Sequence, residues 1–254
     1  MGPKELATSN EILRGLVGST VHGLSVKAQD DRDEMGVCVE PPDYVCGLNT
    51  FEQYVHRTQP EGARSGPGDL DLVIYSLRKY VRLAARGNPT VLLLLFVPEQ
   101  ELVVKTPLGD RLRAESHLFA SREAGARYLG YLQSQRRPLI GQSGKRNLPN
   151  RPELVEQYGF DTKYAGHTVR LGFQGIEFLR TGRLSLPMRE PERIYVRDVR
   201  LGKYSLPEVL RQAEELEREL QDLCTTSSLP EKPDLGKIND LLYELHTEHW
   251  ARKH

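Results

Sequence analysis

Two aspartates one residue apart, Asp31 and Asp33, follow a Gly18-Ser19 pair flanked by the apolar Leu16-Val17. In an extended strand side chains alternate faces, so Asp31 and Asp33 point to one side while Arg32 and Glu34 point to the other. At about 4 Å and an effective dielectric of about 20, two such carboxylates repel by roughly 4 kcal/mol, so the pair either splays into water or holds a cation. Magnesium suits it, because this hard ion takes one or two carboxylates and completes its shell with waters and substrate phosphates. Gly18 lets the backbone approach a phosphate closely, and Ser19 with neighbouring N–H groups can hold phosphate oxygens. Carboxylates on one side and amides on the other would grip a triphosphate.

A third carboxylate extends the pattern. Asp69-Leu70-Asp71-Leu72-Val73-Ile74 reads as another strand, entered from Gly66-Pro67-Gly68 and rich in aliphatic residues. Asp71 lies inside the apolar run and Asp69 at its mouth, so Asp71 is the preferred ligand. If its strand pairs beside the Asp31 strand, the three acids make a two-metal site, one ion activating a hydroxyl and the other steadying leaving pyrophosphate. An Asp-x-Asp pair alone is commonly a solvated turn. The added Asp71 and the apolar flanks are what point to a metal site.

The string Gly18-Ser19-x3-Gly23-Leu24, then Asp31-x-Asp33-x2-Gly36-Val37, resembles the signature of the DNA polymerase beta nucleotidyltransferase superfamily. Further blocks are similar to the RNA-repair-pathway DNA polymerase beta family within it: Asp71 to Tyr80, Gly87-Asn88-Pro89, Leu95-Phe96, Gly141-Gln142, and Tyr158-Gly159-Phe160-Asp161-x-Lys163-x2-Gly166-His167-x2-Arg170-Leu171. Asp30 and Arg32 depart from the family pattern, which carries a serine before the first metal aspartate and an apolar residue between the two. The Asp33-x2-Gly36-Val37 spacing still fixes the register. Arg32 then implies a less buried back face, or a pairing with Glu34 or another acid.

The resemblance implies an α/β fold, a small mixed sheet bearing the aspartates, followed by a mainly helical half. It implies transfer of a nucleoside monophosphate from an NTP to a hydroxyl, with release of pyrophosphate. Asp31, Asp33 and Asp71 would bind two magnesium ions, Gly18 and Ser19 the triphosphate, and Lys163, His167 and Arg170 the nucleotide. The family name implies an RNA acceptor. Nucleotidylation of a small molecule or a protein, or a non-catalytic nucleotide-binding module, remain open alternatives.

The elements that must position these residues can be read in outline. Strands are expected near Ile12 to Val17, Asp31 to Val39 and Asp69 to Ile74, with a short helix after Gly18-Ser19. Ser76 to Arg86 reads as a helix stopped by Gly87-Asn88-Pro89, and Val91 to Val97 as a buried core segment. Beyond residue 98 helices dominate: Ser121 to Gln135, Asp161 to Thr181 ended by Gly182, a helix opened by the Ser205-x-x-Glu208 capping box, and a last helix near Asp234 to Trp250. The organisation expected is therefore a catalytic core over 1–97 and a helical substrate-binding region over 98–254. On the Asp161 helix, Ala165, Val169, Gly172, Ile176 and Leu179 form an apolar face. Lys163, His167, Arg170, Gln174 and Glu177 form a stripe about 200° away, which periodicity alone reads as a solvated face. Arg136 to Arg151 holds five basic residues and no acid, and reads as a basic loop or a linker.

Composition sets bounds. The 254 residues carry 35 basic and 35 acidic side chains, so any nucleic-acid contact has to be local rather than carried by net charge. Cys38, Cys46 and Cys224 have no Cys-x-x-Cys spacing and leave one unpaired, which fits a reducing cytoplasm. No segment reads as a signal peptide, and the longest apolar run is too short to cross a bilayer, so no membrane partner is expected. The oligomeric state is left open.

Overall fold

The computed structural model describes residues 2–25, 32–60, 65–66, 68–139 and 151–252. The chain forms two compact units, one of Met1–Phe119 with Pro233–His254 and one of Ala120–Lys232. Among the described residues the first unit carries one mixed sheet of five strands: β1 (Glu11–Leu16), β2 (Arg32–Cys38), β3 (Gln53–Arg57), β4 (Leu70–Ser76) and β5 (Leu102–Lys105), in the spatial order β3-β4-β2-β1-β5. Only β2 and β4 run parallel; the other neighbours are antiparallel. The fold is α/β, as the sequence predicts.

Packing explains the placement of β2 and β4 at the centre. Leu72, Ile74 and Cys38 build a core with Leu6, Ala7 and Phe51. The parallel pair needs a long crossover, which residues 39–69 provide and which includes edge strand β3. After β4, Ser76 caps helix Leu77–Ala85 by accepting from Lys79 N at 3.2 Å. Asn88 then caps helix Pro89–Leu93 by accepting from Thr90 N and Val91 N. Val91 to Leu95 and Val97 are buried, as the run of apolar residues predicts.

The first unit extends past the boundary expected at 97/98. Strand β5 hydrogen-bonds to β1, and Thr106 Oγ1 donates to Ile12 O at 2.8 Å. Gly109 of helix Pro107–Ala114 lies so close to Ile12 that a Cβ would strike its backbone. The last helix, Leu235–Ala251, returns to this unit. Leu241 and Leu245 are buried, and Trp250 Nε1 donates to Glu40 O at 2.8 Å, so this helix packs internally.

The second unit, among its described residues, is helical: Arg122–Leu139, Pro152–Tyr158, Thr162–Thr181, Glu192–Arg200 and Leu206–Thr226. Glycines let its helices meet closely. A Cβ at Gly172 would lie 2.8 Å from Leu216 Cβ, and one at Gly175 2.7 Å from Tyr128 Cβ. The basic stretch from Arg136 begins inside a helix rather than a loop: Arg136 pairs with Glu214 at 2.8 Å and Glu217 at 3.5 Å on helix Leu206–Thr226. Residues 140–150, including Gly141-Gln142, lie outside the described residues.

One buried polar contact fastens the returning helix. His246 Nε2 lies 3.2 Å from Glu40 Oε2, and its Nδ1 lies 2.8 Å from Leu242 O, so both ring nitrogens face acceptors. Burial pushes the Glu40 carboxyl up, but hydrogen bonds from His246 and the backbone together outweigh this and hold it below its ordinary value. A carboxylate lowered in the folded state contributes stability above its unfolded pKa and loses it as pH falls through the folded one. Glu40→Gln and His246→Ala are each expected to cost about 1–3 kcal/mol at neutral pH. Thermal melts taken from neutral pH down through the ordinary value of 4.5 should show the wild type losing more stability than Glu40→Gln.

Candidate active site

The parallel ladder of β2 and β4 sets Asp33 directly opposite Asp71, between the pairs Arg32↔Leu70 and Glu34↔Leu72. Register partners in a ladder send their side chains to the same face, and adjacent strands lie about 4.8 Å apart. Asp33 and Asp71 therefore rise side by side from one face of the sheet. Asp31 lies outside the described residues. Among the described residues no three His, Cys, Asp or Glu side chains gather as cation ligands.

The Gly18-Ser19 turn borders Asp33 on its other side. Val17 N donates to Asp33 O at 3.0 Å, continuing the β1–β2 pairing into the turn. A Cβ on Gly18 would lie 2.9 Å from both Cβ and Cγ of Asp33, so only glycine fits against this aspartate. The short helix expected after the turn is a single turn. Leu24 N donates to Ser19 O at 3.1 Å and Gly23 N to Thr20 O at 2.9 Å, with Gly23 at φ 70°, the pattern that ends helices. Val21, His22 and Leu24 are buried and seat the turn. The hydroxyl oxygen of Ser19 is closed off from solvent and has no hydrogen-bond partner among the described residues.

Asp71 is held from the β3 side. Its Oδ1 accepts from Gln59 Nε2 at 2.9 Å and pairs with Arg57 Nε at 3.2 Å, while Oδ2 accepts from Ser65 Oγ at 2.5 Å. Burial raises the Asp71 carboxyl, but the bonds from Ser65 and Gln59 and the charge of Arg57 together hold it below the usual carboxylate range. Asp69 is occupied differently. Its carboxylate accepts from Thr58 Oγ1 at 2.8 Å and Gly66 N at 2.9 Å, tying the chain that leads into β4. On the back face, buried Glu34 lies 2.5 Å from Arg32 Nε and 3.2 Å from Arg14 Nη1, the pairing expected for Arg32.

Lys163, His167 and Arg170 belong to the second unit, on helix Thr162–Thr181. Asp161 caps this helix by accepting from Tyr164 N at 2.9 Å and pairs with Arg151 at 3.3 Å. The polar stripe is not a solvated face: Gln174 is buried, and Arg170 donates to Gln174 Oε1 at 2.9 Å and to His167 Nδ1 at 2.7 Å. Because a guanidinium only donates, His167 Nδ1 accepts and its proton sits on Nε2. The stem of Arg200, from helix Glu192–Arg200, crosses over Gly166, where a Cβ would lie 2.6 Å from Arg200 Cγ. Burial drives His167 down to about 3, with the charges of Arg170 and Arg151 pushing the same way. Burial also brings Arg170 to about 10; Tyr128 opposes the shift and Arg200 adds to it.

Sequence reading missed Arg57, Gln59, Ser65 and Arg200. Arg57 belongs to a five-residue edge strand, Gln53–Arg57, whose Tyr54 and Val55 are β-formers but whose other residues are polar. Gln59 and Ser65 are in the crossover that follows, and nothing in their spacing announces a carboxylate partner.

The family model for the RNA repair pathway DNA polymerase beta family matches residues 5–244. The chain belongs to that family. An uncharacterised 38.9 kDa protein from the nrdC-mobD intergenic region of Enterobacteria phage T4 is 28% identical over 128 residues, spanning 49% of this chain and 37% of that protein. A crystal structure of a nucleotidyltransferase-like protein from Exiguobacterium sibiricum overlaps 97% of this chain and 74% of its own, at 13% identity and a TM-score of 0.30.

The His167 geometry has a spectroscopic consequence. Its folded pKa of about 3 lies below the ordinary 6.5, so folding opposes protonation and the associated stability is lost as pH falls from about 6.5 towards 3. Nitrogen-15 NMR of the ring is expected to show a neutral Nε2–H tautomer that persists well below pH 6.5. Replacing Arg170 with Ala removes one of the charges that depress it and should move the titration upward.

Proposed function

We propose that this protein is a metal-dependent nucleotidyltransferase that moves a nucleoside monophosphate from an NTP to a hydroxyl acceptor, releasing pyrophosphate. The observation that carries the reading is the Asp33–Asp71 register pair on one sheet face, bordered by the Gly18-Ser19 turn. These residues fit a hard divalent cation and a triphosphate. Two adjacent carboxylates supply oxygen ligands, the missing Cβ of Gly18 keeps the turn against Asp33, and the buried Ser19 hydroxyl has no protein partner among the described residues. Asp31, one residue before β2, is assigned as the third ligand on its spacing to Asp33.

When bound, magnesium would supply charge neutralisation at the phosphates and a lowered pKa for the attacking hydroxyl. The chain's own groups do the rest. Asp33 and Asp71 are assigned to fix where cationic charge sits, and Asp71 to orient the acceptor hydroxyl. Gly18 and Ser19 hold the triphosphate by backbone amides and a hydroxyl. Lys163, His167 and Arg170 are assigned to nucleotide phosphate, the arginine as a fork and His167 as a neutral donor through Nε2. Catalysis of this kind is mostly positioning and electrostatics. RNA is the acceptor the family's description favours. The balance of 35 basic and 35 acidic residues favours a second reading, a small-molecule or protein acceptor.

Incubation with each α-labelled NTP, magnesium and a pool of RNA ends is expected to yield labelled RNA. Label appearing only on protein or a small molecule selects the second reading, and no label on any acceptor overturns transfer. Asp33→Asn and Asp71→Asn should each lower the rate by at least about 100-fold. Magnesium with NTP should raise the melting temperature of the wild type and barely move that of Asp33→Asn; equal shifts in both would reject Asp33 as a ligand.

A further inference from the structure

Among the described residues, three donors meet the Asp71 carboxylate. A carboxylate offers about four lone-pair sites on its two oxygens. Oδ1 of Asp71 takes Gln59 Nε2 at 2.9 Å and Arg57 Nε at 3.2 Å, and Oδ2 takes Ser65 Oγ at 2.5 Å. Among the described residues three of about four sites are filled, from β3 and the chain after it, and the fourth is on Oδ2. Gln59 Nε2 also donates to Ser65 Oγ at 2.6 Å, so the two donors hold each other as well as the acid.

The backbone keeps this arrangement in register. Arg57 is the ladder partner of Asp71 across the β3–β4 pair, as Asp33 is across β2–β4. The three residues make one row over three strands: Arg57, Asp71, Asp33. Thr58 closes the row from the side, donating through Oγ1 to Asp69 and accepting from Leu70 N at 2.9 Å. Arg57 has a side chain 65% exposed, so its ion pair with Asp71 is worth little as stability. Such a contact is better explained by what it does to the carboxylate.

Resting on the cation-dependent reading above, we infer that Arg57, Gln59 and Ser65 are positioning residues that hold Asp71 as a monodentate ligand, leaving Oδ2 alone for a single cation. The clasp fixes the plane of the carboxylate. It also places a guanidinium charge where a second cation, or a bidentate contact through Oδ1, would have to sit. Each of the three acts through its contact with Asp71.

Removing Arg57 deletes a like charge beside the cation and opens one of the two occupied sites on Oδ1, so the cation should bind more tightly while Asp71 loses part of its aim. The test uses the full-length protein with manganese as probe, its binding followed by electron paramagnetic resonance. For Arg57→Ala the manganese dissociation constant is expected to fall by about three- to tenfold, from relief of like-charge repulsion. Its kcat should drop about 10- to 100-fold, as for other partners of metal ligands, with the KM for NTP unchanged. Arg57→Lys, which keeps the charge without the fork, should restore wild-type manganese affinity and only part of kcat. Ser65→Ala should lower kcat in the same direction.

Arg57→Ala with wild-type manganese affinity and kcat overturns the inference. So does weakened manganese binding of the kind expected for Asp71→Asn, since that would make Arg57 a structural support only. If Arg57→Ala does not fold by circular dichroism, Arg57→Lys and Ser65→Ala decide: both indistinguishable from wild type in kcat also overturns it. Failure of the underlying reading looks different, because Asp33→Asn and Asp71→Asn would then bind manganese as the wild type does.

Discussion

The parallel pairing of β2 with β4 is the constraint on which the site depends. Side chains on a strand alternate with a period of two, so a one-residue slip would carry Asp33 to the opposite face from Asp71. The register is held by what lies on the other face. Leu72, Ile74 and Cys38 are fixed in the core, and Glu34 is fixed between Arg14 and Arg32. A slip would expose the first group and bury Asp33 without a counter-charge. The apolar side of the sheet thus enforces the acid side.

That logic tells which parts of the protein were legible in its sequence. Strands β2 and β4 announce themselves, because an alternating or aliphatic run bounded by glycine has few other ways to fold. Their acids stand at the strand starts, where spacing alone puts Asp33 and Asp71 on candidate faces. The helix caps were equally plain: Ser76, Asp161 with Gly182, and the Ser205–Glu208 box all mark ends that the structure places within a residue or two. Edge strands β3 and β5 were not legible. Each is five residues or fewer, half solvated, and stabilised by the ladder it joins rather than by its own pattern. The extent of the first unit stayed hidden for the same reason, since it depends on β5 pairing with β1 and on a helix returning from the far end of the chain.

The polar stripe on helix Thr162–Thr181 shows a second kind of limit. Periodicity gives the direction of a side chain and not what lies there. His167, Arg170 and Gln174 share a face, which by itself reads as solvated; the structure bonds them to one another and buries Gln174. A row of polar groups linked in this way has lost much of its rotamer freedom before any ligand arrives, which is the condition under which an arginine fork binds an anion with least loss.

Electrostatic cost links the two faces of the sheet. Two carboxylates set opposite one another repel by roughly 4 kcal/mol at about 4 Å and an effective dielectric of about 20, against a total stability on the order of 5–15 kcal/mol for a typical domain. Unfavourable terms of that size must be offset locally if the fold is to form before any cation binds. On the front, the donors Gln59 and Ser65 bond the Asp71 carboxylate, and the exposed Arg57 adds a small further term. Behind it, the arginines on either side of Glu34 do the same for the back-face acid. The residues that steady the acids thus come from both faces of the sheet. An edge strand whose own pattern is weak sets a guanidinium beside the carboxylate of β4.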